Sequence, residues 1–445
     1  MQENALFWIW LSEALGAANR DFRTLITLYD SPYEIFHAEE EELERIPEIS
    51  ERTKTVLADK SLQRATEILD RCQQRGIGIL PYADACYPKA LRDIKDPPVL
   101  LYYKGTPFEL DRLLSIGMVG TRRMSAYGLQ SAYKIAYELA TAGAVVVSGM
   151  AAGIDGVCAA AALAAKGRTV AVLGCGLDVV YPKHHKVLME EIERQGLLLS
   201  EYPPGTRPNH YHFPIRNRLI SGLSQGTLVV EAGLGSGSLI TAKDAILQGR
   251  DVFALPANVG SRGAEGTNGL LRDGANLVIG AEDVLKTYQY VYAQELHPER
   301  LGKIEPGLRA DLQYLARMGV IELTAPTAQG REAPVRAAAE PETSRPKPSA
   351  HQARASKPSK KAAEQATPVA AVPEPKPPTK TPDEVLSSLP PIQLAVLEAI
   401  PDDRAISADA LCSLDFPHGD IIAALTMLEI LGLVQKLPGA LYTKS

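Results

Sequence analysis

The chain has 445 residues, of which 45% are hydrophobic, and this length is enough for two or three domains with their own cores. Its formal net charge of −6 excludes a uniformly basic nucleic-acid-binding protein, so any nucleic-acid site must be a local basic patch. Five cysteines without a CxxC pair exclude a disulfide framework and a zinc ribbon. The apolar stretch at the start lacks a basic region and contains Glu13, and no apolar run reaches membrane-span length. We therefore expect no signal peptide or membrane span, and a cytoplasmic location.

The first 75 residues are predicted to form a helical domain of the SAM or helix-hairpin-helix type. Apolar residues at Phe22, Leu25 and Tyr29 recur at helical spacing. The stretch 43–59 has the outline of a helix-hairpin-helix, but Glu48 and Ser50 stand where glycines would let backbone N–H groups meet a phosphate. Because Glu48 would repel a phosphate, we favour a structural or protein-contact role over DNA binding.

Short β-rich runs alternate with helical stretches between residues 76 and 290. The predicted strands are Ile116–Val119, Ala144–Ser148, Thr169–Leu173, Leu197–Ser200, Leu228–Val230 and Val252–Leu255. The predicted helices include Ala126–Leu139, Ala159–Lys166, His185–Arg194 and Leu239–Leu247. Apolar strands that alternate with helices are typical of a parallel sheet covered on both faces. The sequence therefore predicts an α/β fold with a Rossmann-like parallel sheet as its core.

Three further segments are predicted after the sheet domain. Residues 291–325 form a helical extension, and 326–382 are so rich in Pro, Ala and Lys that we expect a disordered linker. A solvated spacer is favoured there over a weak electrostatic tether for DNA. Residues 383–445 read as a winged helix: a helix ending near Ile400, a second helix capped by Ser407, a third over 418–431 and two strands around Pro438. The third helix has no Lys or Arg, which favours a protein contact over DNA.

Ligands of open parallel sheets bind beyond the carboxyl ends of the strands, so the residues that follow each strand are the candidates. Small residues or a cation stand at every such end, as in 120–123, 149–155, 174–178 and 231–238. In the last of these turns, glycines allow close backbone approach, and the following helix start attracts anions. The predicted phosphate site comprises Gly235, Ser236, Gly237, Ser238 and Thr241. The alternative is a tight strand–helix turn without a ligand.

Cations and aromatic residues cluster near the same strand ends. Arg122, Arg123 and Lys183 follow strands, and Arg216, Asn217 and Arg218 lie in the segment 212–218. Arginine contacts phosphates in bidentate fashion, and Phe213 or Tyr181 is suited to stack on a base. This combination predicts a site for single-stranded nucleic acid. We also expect at least one of Arg216 and Arg218 to be paired inside the fold with Glu231 or Asp155.

Catalytic signals are weak, and we predict no catalytic residue, metal or cofactor. The pairs His184–His185 and His210–His212 lack partner ligands at metal spacing. The stretch 174–179 lacks the third glycine of a dinucleotide fingerprint, and no P-loop motif occurs. Asp155 and Asp178 follow strands and are as suited to capping helices as to proton transfer.

Several motifs together resemble the DNA processing protein A family, also called DprA or Smf. They are SGMAAGIDG (148–156), AVLGCGLDVVYPK (171–183), SEYPPG (200–205), FPIRNRLISGLS (213–224), VVEAGLGSGSLITA (229–242), GRDVFALPAN (249–258) and GTNGLLRDGA (266–275). The resemblance runs continuously over residues 77–285. The helical region before it and the predicted winged helix fit the family more loosely.

The resemblance implies a single-stranded DNA-binding protein that protects incoming DNA in natural transformation and helps load the RecA recombinase. It also implies a homodimer that associates through the Rossmann-like domain, and no catalysis. By position, the family's DNA pocket maps onto Arg122, Lys183, the segment Arg216–Arg218 and the turn Ser236–Thr241. The alternative is a nucleotide-processing enzyme of the phosphoribohydrolase (lysine-decarboxylase-like) type. Such enzymes carry a PGGxGTxxE motif at the equivalent turn, and the segment EAGLGSGSLITA of this chain matches that motif only in its glycines.

Overall fold

The computed structural model describes residues 2–261, 263–302, 308–322, 336–337 and 391–401, and scattered residues from 406 to 444. These fall into two units, Met1–Pro346 and Lys347–Ser445. Among the described residues, no helix is both long and apolar enough to cross a bilayer.

Six helices precede the first strand: α1 (Gln2–Leu15), α2 (Phe22–Leu28), α3 (Pro32–His37), α4 (Glu40–Glu44), α5 (Glu51–Leu57) and α6 (Gln63–Arg75). Ser50 caps α5 by accepting the backbone N–H of Thr53, and the Asp21 carboxylate accepts both hydroxyl groups of these residues. The helices bury Trp8, Ile9 and other apolar residues in one cluster that also contains strand residues of the central sheet. The N-terminal helices therefore pack directly on the sheet domain.

A sheet of nine strands forms the centre of the first unit. The strands are β1 (Gly78–Pro81), β2 (Leu100–Gly105), β3 (Ser115–Val119), β4 (Val145–Ser148), β5 (Arg168–Leu173), β6 (Leu197–Ser200), β7 (Gly226–Val229), β8 (Asp251–Ala254) and β9 (Asn276–Leu277). Their order is β1-β2-β6-β5-β4-β3-β7-β8-β9. All pairings from β6 to β9 are parallel, whereas β2 is antiparallel to both of its neighbours. The chain therefore builds outward from β3 to β6, then returns to place β7 on the other side of β3.

Helices cover both faces of this sheet, as the sequence predicted. They are α7 (Lys89–Arg92), α8 (Ala126–Thr141), α9 (Ile154–Ala164), α10 (Lys186–Gln195), α11 (His212–Gly222), α12 (Ser238–Leu247), α13 (Glu265–Arg272) and α14 (Ala281–Tyr288). Side chains alternate between the faces: Val146 joins the core that contains α8 and α9, and Val145 and Val147 join the core under α11 and α12. The predicted Rossmann-like α/β fold is therefore confirmed.

The six predicted strands all exist, with ends that differ by two residues at most. Three strands of this sheet were not predicted: β1 and β2, which extend it beyond β6, and β9, which forms the opposite edge. Helix α9 begins at Ile154 rather than at Ala159. Every residue from Ile154 to Leu163 is buried. A helix without a polar face has no amphipathic period, so its start could not be located from periodicity.

The segment predicted as a helical extension contains a helix, α15 (Leu308–Arg317), and a short strand, β10 (Ile321–Glu322). The hydroxyl group of Tyr133 in α8 donates to the Asp311 carboxylate at 2.8 Å. Gly319 has a φ of +77°, and a Cβ there would lie 1.9 Å from the backbone oxygen of His184. The extension therefore packs against the sheet domain through contacts that leave little room for a larger residue at position 319.

Part of the predicted linker is structured. Arg336–Ala337 form strand β11, which pairs antiparallel with β10, although composition assigned them to the linker. Strand pairing needs only backbone groups, so composition does not exclude it. The remainder of the predicted linker, 326–335 and 338–382, lies outside the described residues.

The second unit contains a helix, α16 (Pro391–Ala399), and a three-stranded sheet of β12 (Ile406–Ser407), β13 (Val434–Leu437) and β14 (Leu441–Lys444) in the order β12-β14-β13. The predicted pair of strands around Pro438 is confirmed as the antiparallel pair β13–β14. Ser407 pairs with Leu441 in the sheet, and most of the helix that it was predicted to cap lies outside the described residues. Most of the predicted third helix lies outside the described residues.

Close packing of α9 generates a stability prediction. Ala161 is completely buried in this helix, so Ala161→Leu would force extra carbon atoms into a filled space. We expect the free energy of unfolding to fall by about 1–3 kcal/mol in urea denaturation. Ala58→Leu, at an exposed position after α5, is the matched control and should change stability little. Equal stability of the two variants would contradict the packing described for α9.

Candidate anion-binding cleft

A cleft of about 1450 Å³ opens at the carboxyl ends of the strands, where the sheet reverses its order between β3 and β7. This topological switch point is the usual ligand position in open α/β sheets, because the chain leaves adjacent strands toward opposite faces there. The lining comes from the turns after β3, β4, β5 and β7, from the segment before α11, and from α11 and the start of α12. The cleft therefore collects residues that are more than 100 positions apart in sequence, from Arg122 to Thr241.

Arg216 in α11 forms part of the floor of this cleft. Its guanidinium is buried and donates to the backbone oxygens of Gly149, at 2.9 Å, and of Val172. Its Nε donates to the side chain of Asn217 at 3.2 Å. Burial lowers the pKa of Arg216, and the nearby carboxylate of Asp155 opposes this effect. A Cβ at Gly149 would lie 2.6 Å from the guanidinium, so glycine is needed for this contact.

Two carboxylates line the cleft, and both are held by backbone N–H groups. Asp155, in the first turn of α9, accepts the N–H of Gly149 at 3.1 Å. Burial raises the pKa of Asp155, and Arg216 and Arg122 oppose this effect. Glu231 accepts the N–H of Ser125 at 2.9 Å, at the start of α8. The positive ends of α8 and α9 are therefore already matched by carboxylates of the protein itself.

The start of α12 differs from the other two. Its first turn carries no acidic residue, and the hydroxyl groups of Ser236 and Ser238 lie 2.8 Å apart. The hydroxyl group of Thr241 is buried and has no hydrogen-bond partner within the described part of the chain. A Cβ at Gly235 or Gly237 would meet nothing within 4 Å. An open helix start with hydroxyl donors and bare backbone is suited to an external anion.

Aromatic and cationic groups form the wall beside this helix start. The Phe213 ring stacks on Tyr181 with centroids 5.3 Å apart and planes inclined by 28°. The guanidinium carbon of Arg122 lies 5.4 Å from the Phe213 centroid, and that of Arg216 lies 5.9 Å from it. A cation over a ring is favourable, and it also offers a charged donor next to an aromatic face. The wall can therefore contact both a phosphate and a planar base.

Most of the residues predicted from sequence meet in this cleft. Its lining includes Arg122, Arg216, Asn217, Gly235, Ser236, Gly237, Ser238 and Thr241. The amide group of Asn217 donates to the backbone oxygen of Gly237 at 3.3 Å, so it also joins α11 to the glycine-rich turn. Lys183 is exposed in a short 3₁₀ turn and is not among the lining residues.

Arg218 also lies outside the cleft. It donates to both carboxylate oxygens of Glu201 at 2.8 Å and lies 3.5 Å from Asp96. Its side chain is only 7% exposed, so these charges stabilise the interior rather than a ligand. The prediction that one of the two arginines is paired inside the fold is confirmed, but the partners are Glu201 and Asp96 instead of Glu231 or Asp155.

Some lining residues were not among the predicted site residues. They include Thr121, Arg123, Asp155, the segment 208–210 and Glu231. Arg123 and Asp155 stand in strand-end turns, which was a usable signal. His210 lies two residues before α11, and its proximity to Phe213 in the sequence was the only signal that it would line the cleft.

The sheet order, the switch-point cleft and the open helix start define a Rossmann-like protein with a candidate site for anions. The model for the family described as DNA recombination-mediator protein A matches residues 78–289. DNA processing protein DprA of Bacillus subtilis is 42% identical over 219 residues, which cover 49% of this chain and 74% of that protein. Protein Smf of Synechocystis is 34% identical over 384 residues, which cover 85% of this chain and 83% of that protein. The chain therefore belongs to the DprA/Smf family.

A solved structure agrees with this assignment. The X-ray structure of DNA processing protein A from Streptococcus pneumoniae has a TM-score of 0.56 to this chain at 36% sequence identity. The match covers 63% of this chain and 97% of that chain. The family assignment does not favour the alternative of a phosphoribohydrolase-like enzyme.

The buried charges around Arg218 generate a prediction on pH. Burial, with Asp96 nearby, raises the pKa of Asp244 in α12 from 3.8 to about 6, and Arg218 and Lys243 oppose this shift. A raised carboxyl pKa means that the folded state binds the proton more tightly, so stability is lost as pH rises through this range. Asp244→Asn should therefore gain stability relative to the wild type as pH rises from about 4 to 7.

Urea denaturation at each pH measures this difference. The exposed Asp70→Asn variant is the control and should show no comparable pH dependence relative to the wild type. A constant difference between Asp244→Asn and the wild type across the range would contradict the assignment.

Proposed function

We propose that this protein binds single-stranded DNA in the switch-point cleft and acts as a recombination mediator that protects incoming DNA in natural transformation. The observation that carries the proposal is the open start of α12 beside Arg122 and Phe213. Its first turn carries no acidic residue, whereas Glu231 and Asp155 accept backbone N–H groups at the starts of α8 and α9. A DNA phosphate would have the same role at the start of α12 that Glu231 and Asp155 have at the starts of α8 and α9.

Single strands fit this cleft better than duplexes. Phosphates of either form suit Arg122 and the Ser236–Ser238 turn, but only an unstacked base presents its face to Phe213 and Tyr181. The chain as a whole carries a net charge of −6, so binding depends on this local group of cations. The names of the relatives, which describe DNA processing, support DNA rather than a small nucleotide as the ligand.

We further propose a binding protein rather than an enzyme. Asp155 and Glu231, the carboxylates in the cleft lining, both accept backbone N–H groups, which leaves them poorly placed as proton-transfer groups. Release of free base from a nucleoside monophosphate by the purified protein would contradict this part of the proposal and favour the enzyme alternative.

The family resemblance also suggests RecA as a partner, a homodimer and a cytoplasmic location. The edge strand β9 supports the dimer, because edge strands present unpaired backbone groups. Leu277 in this strand and Ile279 just after it are 57% and 76% exposed, so an apolar surface accompanies the unpaired edge.

Charge reversal at the cleft wall tests the proposal. Full-length Arg122→Glu should bind oligo-dT at least about tenfold more weakly, with a salt slope reduced by roughly 0.7 per lost phosphate contact. Fluorescence anisotropy over a salt series, with a duplex of equal length for comparison, measures both. Arg300→Glu is the control, since Arg300 is exposed and does not line the cleft. Equal affinity of the wild type for single-stranded and double-stranded DNA would contradict the proposal.

Glycine substitution separates binding from folding. Gly235 has an ordinary φ and open space at its Cβ position, so Gly235→Ala should leave the melting temperature unchanged. A methyl group there would keep a phosphate from the turn, so we expect several-fold weaker binding of oligo-dT. Gly269→Ala, in α13, also has open space and should affect neither property. Unchanged DNA affinity in Gly235→Ala would place the phosphate elsewhere.

A further inference from the structure

A tight turn projects two aromatic residues at the lip of the cleft, just before α11. The side chain of Asn209 accepts the backbone N–H of Tyr211 at 3.1 Å, and its backbone oxygen accepts the N–H of His212 at 2.9 Å. Asparagine makes such turns because its side chain replaces a backbone acceptor. The turn fixes the backbone, and it directs His210 and Tyr211 outward, where both are exposed.

The two rings lie against each other. Their centroids are 3.8 Å apart with planes inclined by 39°, and His210 lines the cleft. Tyr211 is 68% exposed, so most of its ring surface is accessible to a ligand. The next two aromatic residues behave differently: His212 stacks on Tyr202 at 4.1 Å, and Phe213 stacks on Tyr181. Rings from other segments of the chain therefore hold His212 and Phe213, whereas in the part of the chain that the structure describes His210 and Tyr211 stack only on each other.

We propose that His210 and Tyr211 form a second base-stacking site, which holds an unstacked nucleobase of the DNA strand as it leaves the cleft. This inference rests on the proposed function. Stacking on an aromatic platform tolerates every base, because each base has a π-face, and a duplex cannot offer that face. The exposed Arg207, three residues before His210, supplies a cation for the adjoining phosphate. The platform thus extends the single-strand site from the phosphate-binding turn to the lip.

The test compares full-length wild type with Tyr211→Ala on two ligands of equal length: oligo-dT and a fully abasic deoxyribose-phosphate oligomer. Stacking of one base changes affinity by at least about fivefold, so Tyr211→Ala should bind oligo-dT that much more weakly. The abasic oligomer offers phosphates without bases, so both proteins should bind it equally. Tyr211→Phe should retain wild-type affinity for oligo-dT. Tyr290→Ala, at an exposed tyrosine that does not line the cleft, is the control.

The outcomes distinguish this inference from the proposed function. If Tyr211→Ala binds oligo-dT like the wild type, or weakens binding of both ligands equally, the platform is refuted while the cleft proposal stands. A surface of His210 and Tyr211 that binds a protein instead of DNA would give this refuting result. If the wild type shows no preference for oligo-dT over a duplex, and Arg122→Glu binds oligo-dT as tightly as the wild type, the proposed function itself fails.

Discussion

The guanidinium of Arg216 joins α11 to the carboxyl ends of two neighbouring strands. It donates to backbone oxygens at the end of β4 and in β5, and it faces Asp155 at the start of α9. A buried arginine needs such partners, because an unsatisfied charge in the interior is costly. The contact fixes α11, and with it the positions of Phe213 and Asn217. The wall of the cleft and its connection to the glycine-rich turn both follow from this one buried group.

The helix starts in the cleft, rather than the overall composition of the chain, decide where the cleft can hold an anion. The starts of α8 and α9 are matched by Glu231 and Asp155, whereas α12 begins with glycine and serine. An acidic chain can therefore present a local site for anions, since the internal carboxylates are already engaged and Arg122 stands at the rim.

Arg216 and Arg218 show how far sequence could resolve the site. Side chains two positions apart in one helix point about 200° apart around its axis, so these two arginines cannot share one environment. The motif predicted cations here, and internal pairing for one of them, but only the fold brought Glu201 and Asp96 to Arg218. Lys183 illustrates the opposite limit: it follows β5 as the sequence suggested, yet its exposed turn leaves it outside the cleft lining.

The sequence by itself determined the alternation of strands and helices, the glycine-rich turn at Gly235–Ser238 and the family, because these depend on local periodicity and on short motifs. Only the tertiary structure decided that β1 and β2 extend the sheet and that the cleft lies between β3 and β7. It also decided which carboxylate faces which helix start, and that His210 and Tyr211 stand at the lip. The physical reason is that strand order and buried ion pairs arise from contacts between residues distant in sequence, which no local pattern encodes.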